Sequence, residues 1–155
     1  MRICCLDQST KITGYSIWNN RRLVGHGCID FSDVRDREER MIRMYRAVKK
    51  LVQKEKPDFV VFEDVQFQTN QQVYKVLSQL QGVIMAVTYE LGCGFIIVEP
   101  LVWKSYVGIK SRKRDDQKRE TQATVKKKYK LSEVGEDEAD ALAIGMWAVD
   151  NLISE

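Results

Sequence analysis

The chain has 155 residues, 44% hydrophobic and 30% charged, with two prolines and a formal net charge of +3. These proportions suit a single packed core and exclude a disordered or fibrous chain. No apolar run reaches the about 18–20 residues that cross a bilayer, and MRICCLDQST has too short an apolar run for a secretory signal, so the sequence predicts one cytoplasmic domain over residues 1–155.

Residues 2–7 read as a strand, with Ile3, Cys4, Cys5 and Leu6 forming an apolar run that ends at Asp7. Lys11–Gly14 reads as a turn, and GYSIWNN alternates as a second strand. Asn19-Asn20 before Arg21 makes a hairpin turn, because asparagine tolerates positive φ. RLVGHGCIDF is then a third strand, antiparallel to the second. The period changes next. Met41, Met44 or Tyr45, Val48, Leu51 and Val52 mark an amphipathic helix over 34–55, capped by Ser32 or Asp33 and followed by Pro57. DFVVFEDV is a short apolar run before an acidic pair and reads as a buried parallel strand. Val73, Val76 or Leu77, Leu80, Ile84, Val87 and Leu91 give a helix over 71–91. Gly82 sits inside it at about 1 kcal/mol against alanine, a cost that close approach of another backbone would explain. Gly92 and Gly94 end that helix, and FIIVEP is the fifth strand. A basic helix over 114–129 and a last helix over 136–152 complete the chain. The order βββαβαβαα predicts an α/β fold: a mixed five-stranded sheet, three antiparallel strands and then alternating α and β, flanked by helices.

Cys4 and Cys5 are adjacent on a strand and so face opposite sides. With one histidine and no CxxC, a zinc site is not expected, and the thiols read as free and buried. His26 reads as a structural or exposed residue.

The acids carry more information. Asp7 ends the first strand and Glu63 the fourth, and both follow apolar runs. If the meander pairs on one side only, these two strands are neighbours, and both acids lie at the carboxyl edge where open α/β sheets bind ligands. Asp137 and Asp140, three apart in GEDEADALAIGMW, share a face of the last helix. Glu138 points elsewhere, and Glu136 is a possible substitute. Taken singly, each acid has an ordinary reading as a turn acid, a strand-end charge or a helix-dipole partner worth about 0.3–1 kcal/mol. Together they cannot all stay ionised without cations, and two Mg²⁺ ions would offset the repulsion. Paired ions of that kind cleave phosphodiesters. The segment Lys110–Lys130 holds ten basic residues, a solvated helix face or a phosphate-contacting surface.

CLDQSTKITGYSI, VVFEDVQF, NQQVYKVLSQLQGVIMAV and DEADALAIG resemble, in order and over nearly the whole chain, the RuvC-type Holliday-junction resolvases of the RNase H-like superfamily. The resemblance maps the family's four catalytic acids onto Asp7, Glu63, Asp137 and Asp140, and a family lysine onto Lys118. It implies a homodimer that nicks four-way DNA junctions in symmetric pairs with Mg²⁺ or Mn²⁺, two ions per site, leaving 5′-phosphate and 3′-hydroxyl ends. It also implies a dimer contact on the helix that begins near Gln71, and it leaves any branch-migration helicase unspecified. In this light Lys104, beside Trp103, and Lys110, Arg112, Lys113, Arg114 and Lys118 become candidate DNA contacts. Trp103 itself reads equally as core or as a stacking platform.

The sequence departs from the family in three places. LDQS stands where Pro-Gly commonly follows the first acid. The aromatic expected three residues after the Glu is replaced by Gln66, with Phe67 next to it, either meeting crossover bases in a shifted register or packed in the core. The loop KSRKRDD is more charged than is usual. Such departures suit a phage or plasmid relative. Two rival functions remain at this stage: an RNase H-like nuclease for flaps, forks or structured RNA, and a non-catalytic binder of branched nucleic acid. An actin-like ATPase is excluded by length and by the lack of a glycine-rich phosphate loop.

Overall fold

A computed structural model describes residues 1–67 and 69–153. Strands β1 (Arg2–Asp7), β2 (Ile12–Asn19) and β3 (Arg22–Asp30) form an antiparallel meander. Asn20, at φ 51°, turns the hairpin between β2 and β3 as its tolerance of the left-handed region predicts. The ladder slips at Ile17/Trp18, where Ile17 pairs with Gly25 and Trp18 with Leu23, leaving Val24 as a bulge. Then come α1 (Arg37–Glu55), β4 (Phe59–Glu63), α2 (Gln71–Glu90) and β5 (Gly94–Val98), followed by α3 (Pro100–Val107), α4 (Arg114–Tyr129) and α5 (Glu136–Leu152). The sheet order is β3-β2-β1-β4-β5, with β1, β4 and β5 parallel. The mixed sheet expected from the sequence is therefore present, and β1 lies at its centre. No helix among the described residues is long and apolar enough to cross a membrane.

Side-chain alternation splits the core in two. Ile3, Cys5, Val61 and Val98 pack with Trp103, Val125, Leu142 and Ile144 of α3, α4 and α5. Cys4, Leu6, Val60 and Phe62 pack on the other face with Met44, Val48, Leu80 and Ile84 of α1 and α2. The adjacent thiols thus face opposite layers, while Cys28 is exposed and Cys93 half-buried, so only two of the four are buried as expected.

Three local readings change. The helix over 34–55 starts at Arg37 and is capped by Asp36, whose carboxylate accepts the Glu39 N–H at 2.7 Å. Asp-x-x-Glu is a capping-box pattern, whereas the Ser32 N–H and hydroxyl both turn back to Asp30. Gly82 is not a point of close approach, because a Cβ there meets nothing within 4 Å. It lies instead on an open groove between α1 and α2. The stretch 100–107, left unassigned by periodicity, is the helix α3, bracketed by Pro100 in its first turn and by Gly108 at φ 83° after its end.

The helix that matters most for the site is α5, buried on nearly all sides from Ala139 to Val149. It lies against the meander so closely that a Cβ on Gly14 would be 2.0 Å from the Asp137 carbonyl oxygen, and one on Gly145 would be 2.2 Å from Trp18 Nε1. A polar seam completes the contact. Trp18 Nε1–H donates to Ser16 Oγ at 2.9 Å, and the Ser16 hydroxyl donates to the Ala141 carbonyl at 2.7 Å. His26 on β3 pairs with Glu138, so one turn of α5 is tied to two strands. Gly14→Ala should cost about 3 kcal/mol or more, the upper end of overpacking penalties, because backbone rather than a flexible side chain stands in the way. Urea unfolding monitored by tryptophan fluorescence checks this, and a loss below about 0.5 kcal/mol would contradict the packing described.

Candidate active site

Asp7 and Glu63 are the last residues of two adjacent parallel strands, in the register step after the Leu6–Phe62 pair. The contact at Gly14 brings the first turns of α5 to the same edge. All four acids singled out in the sequence, Asp7, Glu63, Asp137 and Asp140, line one cleft of about 460 Å³. Lys118 of α4 enters the same cleft. Its ammonium is ion-paired with Asp140 and lies 3.9 Å from Asp7 Oδ2. Lys104 and Arg114 also line it. Glu136 is exposed and outside the cleft, and Glu138 is occupied by His26, as its place on the helix predicts.

The electrostatics follow from burial. Asp7 is pushed well above the ordinary carboxylate range, first by desolvation and then by the charge of Asp140, with Lys118 opposing. Asp140 is raised by burial despite its Lys118 partner. Burial also raises Asp137, against Lys118, and Glu63, against a hydrogen bond from Trp103 and the charge of Lys104. Lys118 has the opposite balance. Burial disfavours its charge, but Asp140 and Asp7 outweigh that and hold it protonated above its usual value. Five carboxyl groups and three basic side chains line the cleft, so its acids outnumber its bases.

The donor set, carboxylate oxygens with no thiol or imidazole, is the chemistry that suits a hard divalent ion. As the side chains are placed, no three His, Cys, Asp or Glu residues among those described form a ready cage. The Lys118 ammonium explains the spacing, because it rests on two of the carboxylates where a cation would otherwise sit. Gln8, where the family has proline, donates from Nε2 to the Glu63 carbonyl at 2.6 Å, while its buried Oε1 has no partner. That leaves one further orphaned oxygen beside the acids.

The predicted DNA contacts separate into two groups. Lys104, Arg114 and Lys118 belong to the cleft, whereas Lys110, Arg112 and Lys113 are exposed on the approach to α4, outside its lining. That approach is pinned by Glu120, which accepts the Lys110 N–H at 2.8 Å and the Ser111 N–H at 3.3 Å. Phe67 is 80% exposed, which rules out a core role, and its ring leans on Tyr74 with centroids 5.7 Å apart. Gln66, the residue at the family's aromatic position, lines the cleft itself. Trp103 is fully buried and so is no stacking platform, yet its Nε1–H donates to Glu63 Oε2 at 2.7 Å. Sequence reasoning missed that tie and the cleft positions of Gln8 and Gln117. The Pro100…Gly108 bracket around α3 was the one readable signal.

A family model for the crossover junction endodeoxyribonuclease RuvC matches residues 3–147. A crossover junction endodeoxyribonuclease RuvC of Fusobacterium nucleatum is 30% identical, covering 100% of this chain and 83% of its own. One from Finegoldia magna is 29% identical over 94% of this chain and 91% of its own. Among solved structures, T. thermophilus RuvC in complex with a Holliday junction substrate has the same fold, with a TM-score of 0.77 at 19% identity over 94% of this chain and 90% of that one. With the matched model running from β1 into α5 and so spanning all four carboxylates of the cleft, the chain belongs to the RuvC family of crossover junction endodeoxyribonucleases.

Proposed function

We propose that this chain resolves four-way DNA junctions by hydrolysis at the cleft, with Asp7, Glu63, Asp137 and Asp140 holding two Mg²⁺ or Mn²⁺ ions. The observation that carries the reading is the convergence of four carboxyls, Asp140 buried and the others half-buried, all raised above their ordinary range, around one lysine in a member of this family. Two such ions, when bound, activate water and stabilise the leaving oxygen of a phosphodiester. The protein's part is placement. Asp7 and Glu63 are fixed by paired strands, while Asp137 and Asp140 are fixed by the seam between α5 and the meander. Lys118 balances the acids before loading. With ions held by the acids, Lys118 would be free to turn its side chain from Asp140 toward the phosphate. Lys104 and Arg114 add positive charge at the cleft wall, and the exposed Lys110, Arg112 and Lys113 extend it along the DNA. Phe67, exposed four residues beyond Glu63, is placed to stack on an unpaired base at the crossover. A nuclease for flaps or forks would share the chemistry but not the paired geometry that two copies impose.

The second copy is assigned to the α1–α2 groove, where Met41, Ile42, Val76 and Val83 surround Gly82. Ile42 is exposed there, and most of the groove's surface is apolar, the kind of surface that a self-complementary contact buries. Ala86→Arg, on the exposed edge of this groove, is expected to yield a folded monomer in light scattering and to uncouple the two nicks. A mutant that remains dimeric moves the interface elsewhere.

The central test is Asp7→Asn with a labelled four-way junction. Mg²⁺-dependent cleavage should fall by about 10³-fold or more, as when a group at the reacting centre is removed, with junction binding retained. Wild-type cleavage by the variant would reject the assignment.

The raised carboxyls also make stability depend on pH. A carboxyl whose folded value lies above its unfolded one favours folding below the unfolded value, and that contribution is lost as pH rises through the folded value. Without divalent ions the protein should therefore lose stability from this cluster as pH rises above the ordinary carboxylate range. Mg²⁺ should raise Tm more at about pH 8 than at about pH 5, where protons hold the same oxygens. Asp30, exposed, and Glu120, half-buried, are lowered by hydrogen bonds and slope the other way, so the Asp7→Asn variant serves as the reference that isolates the cleft. Equal Mg²⁺ shifts at both pH values would count against metal binding by these acids.

A further inference from the structure

Trp103 has one polar atom, and the fold gives it an unusual acceptor. The side chain is fully buried among the core residues of the α3–α4–α5 layer, and its Nε1–H meets Glu63 Oε2 at 2.7 Å. A buried indole needs a hydrogen-bond partner, and a backbone carbonyl would satisfy it as well as a carboxylate. Here it takes a side chain of the cleft. We propose that Trp103 is a positioning residue for Glu63, holding one carboxylate oxygen so that the other is presented to the divalent ions. The inference rests on the reading of Glu63 as a metal ligand.

Glu63 is pinned along its backbone. Its carbonyl accepts from Gln8 at 2.6 Å, and the next residue, Asp64, donates its N–H to Val98 at 2.8 Å. The side chain is a different matter. A free glutamate loses rotamer entropy when fixed, and a ligand must bear that cost at each loading unless something else has already fixed it. Trp103 is suited to the task because it cannot move itself. Its ring lies in a packed core on a helix bounded by Pro100 and Gly108, with the Lys104 ammonium 5.3 Å from the ring centroid.

The donor's neutrality is what separates it from the other clamp in the cleft. Lys118 holds Asp140 by charge, and a dication arriving at that carboxylate repels the ammonium. An indole N–H carries no net charge, so it can keep its oxygen while a cation takes the other one. Hydrogen-bonded partners of this kind around metal ligands typically support affinity or activity by about 10–100-fold. Trp103 and Lys118 thus divide the work, one holding a carboxylate through loading and the other giving its carboxylate up.

The test measures metal binding apart from cleavage. Mn²⁺ affinity is read by calorimetry without DNA, and the Mg²⁺ requirement is read from cleavage of a four-way junction. Trp103→Phe removes the donor and keeps one aromatic ring, at the cost of a cavity where the second ring packed. Trp103→3-benzothienylalanine keeps the full bicyclic shape without the N–H and decides the matter if the phenylalanine variant is unfolded. The expected result is a folded protein with wild-type junction binding in the absence of metal. Its Mn²⁺ affinity should be about 10–100-fold weaker, with half-maximal cleavage displaced to correspondingly higher Mg²⁺ and largely recovered at saturation. A folded variant with wild-type Mn²⁺ affinity and an unchanged Mg²⁺ requirement overturns the inference. Glu63→Gln run beside it separates the two claims. If that variant cleaves normally, the reading of Glu63 fails and this inference with it. If it is inactive while both Trp103 variants match wild type, only the role of Trp103 fails.

Discussion

The close approach of α5 to β2 is the constraint on which the site depends. A helix backbone can come this near a strand only where the strand lacks a side chain, and Gly14 supplies that gap opposite Asp137. The same helix lies over Trp18 at Gly145, and the Ser16 hydroxyl bonds the Ala141 carbonyl between the two. Apolar burial drives the helix down, and the polar seam fixes its rotation. The acidic first turns are carried along as cargo, and their mutual repulsion is offset by the far larger burial behind them. Ten largely apolar positions from Ala139 to Val149 are buried, at up to about 1.5–3 kcal/mol for each large side chain.

The protein therefore holds its charges in an arrangement they would not choose. Asp7, Glu63, Asp137 and Asp140 are each shifted toward the neutral form, and one lysine, itself disfavoured by burial, is kept charged by its acidic neighbours. Under the proposed reading, fold stability and metal binding are linked, since the crowding of these carboxyls is what divalent ions would relieve. Strands hold two of the acids and a helix the other two, so the spacing depends on tertiary packing rather than on any single segment.

Much of this was legible in the chain. Asp7 and Glu63 stand at the ends of apolar runs, and a period-two run that ends in an acid has few places to go but a sheet edge. The three-residue spacing of Asp137 and Asp140 set a common helix face. The parallel pairing of β1 with β4 followed from a meander closed on one side. What was not legible depended on angles between elements. Trp103 meets Glu63 across forty positions of sequence, and only the tilt of α3 brings the indole to the carboxylate. The helix itself escaped notice because PLVWKSYV has no clean apolar stripe; Leu101 and Tyr106 are exposed while Trp103 is buried. His26 looked incidental until Glu138 was seen to face it. The cap of α1 moved to Asp36 because Ser32 had a nearer partner in Asp30. The open setting of Gly82 could not be read locally at all, since a missing neighbour leaves no mark on sequence.

The short tether between Glu63 and Phe67 has a geometric consequence. Four peptide steps reach at most about 14 Å, so the Cα of Phe67 cannot stray further than that from the strand end, and its ring goes beyond only by the length of its own side chain. Under the proposed reading, the base met by the ring and the phosphate at the acids are separated by a covalent ruler. The reach of that loop would then limit how far from a branch point the backbone can be severed. Inserting or deleting a residue there would change the gauge of the instrument while leaving its blade untouched.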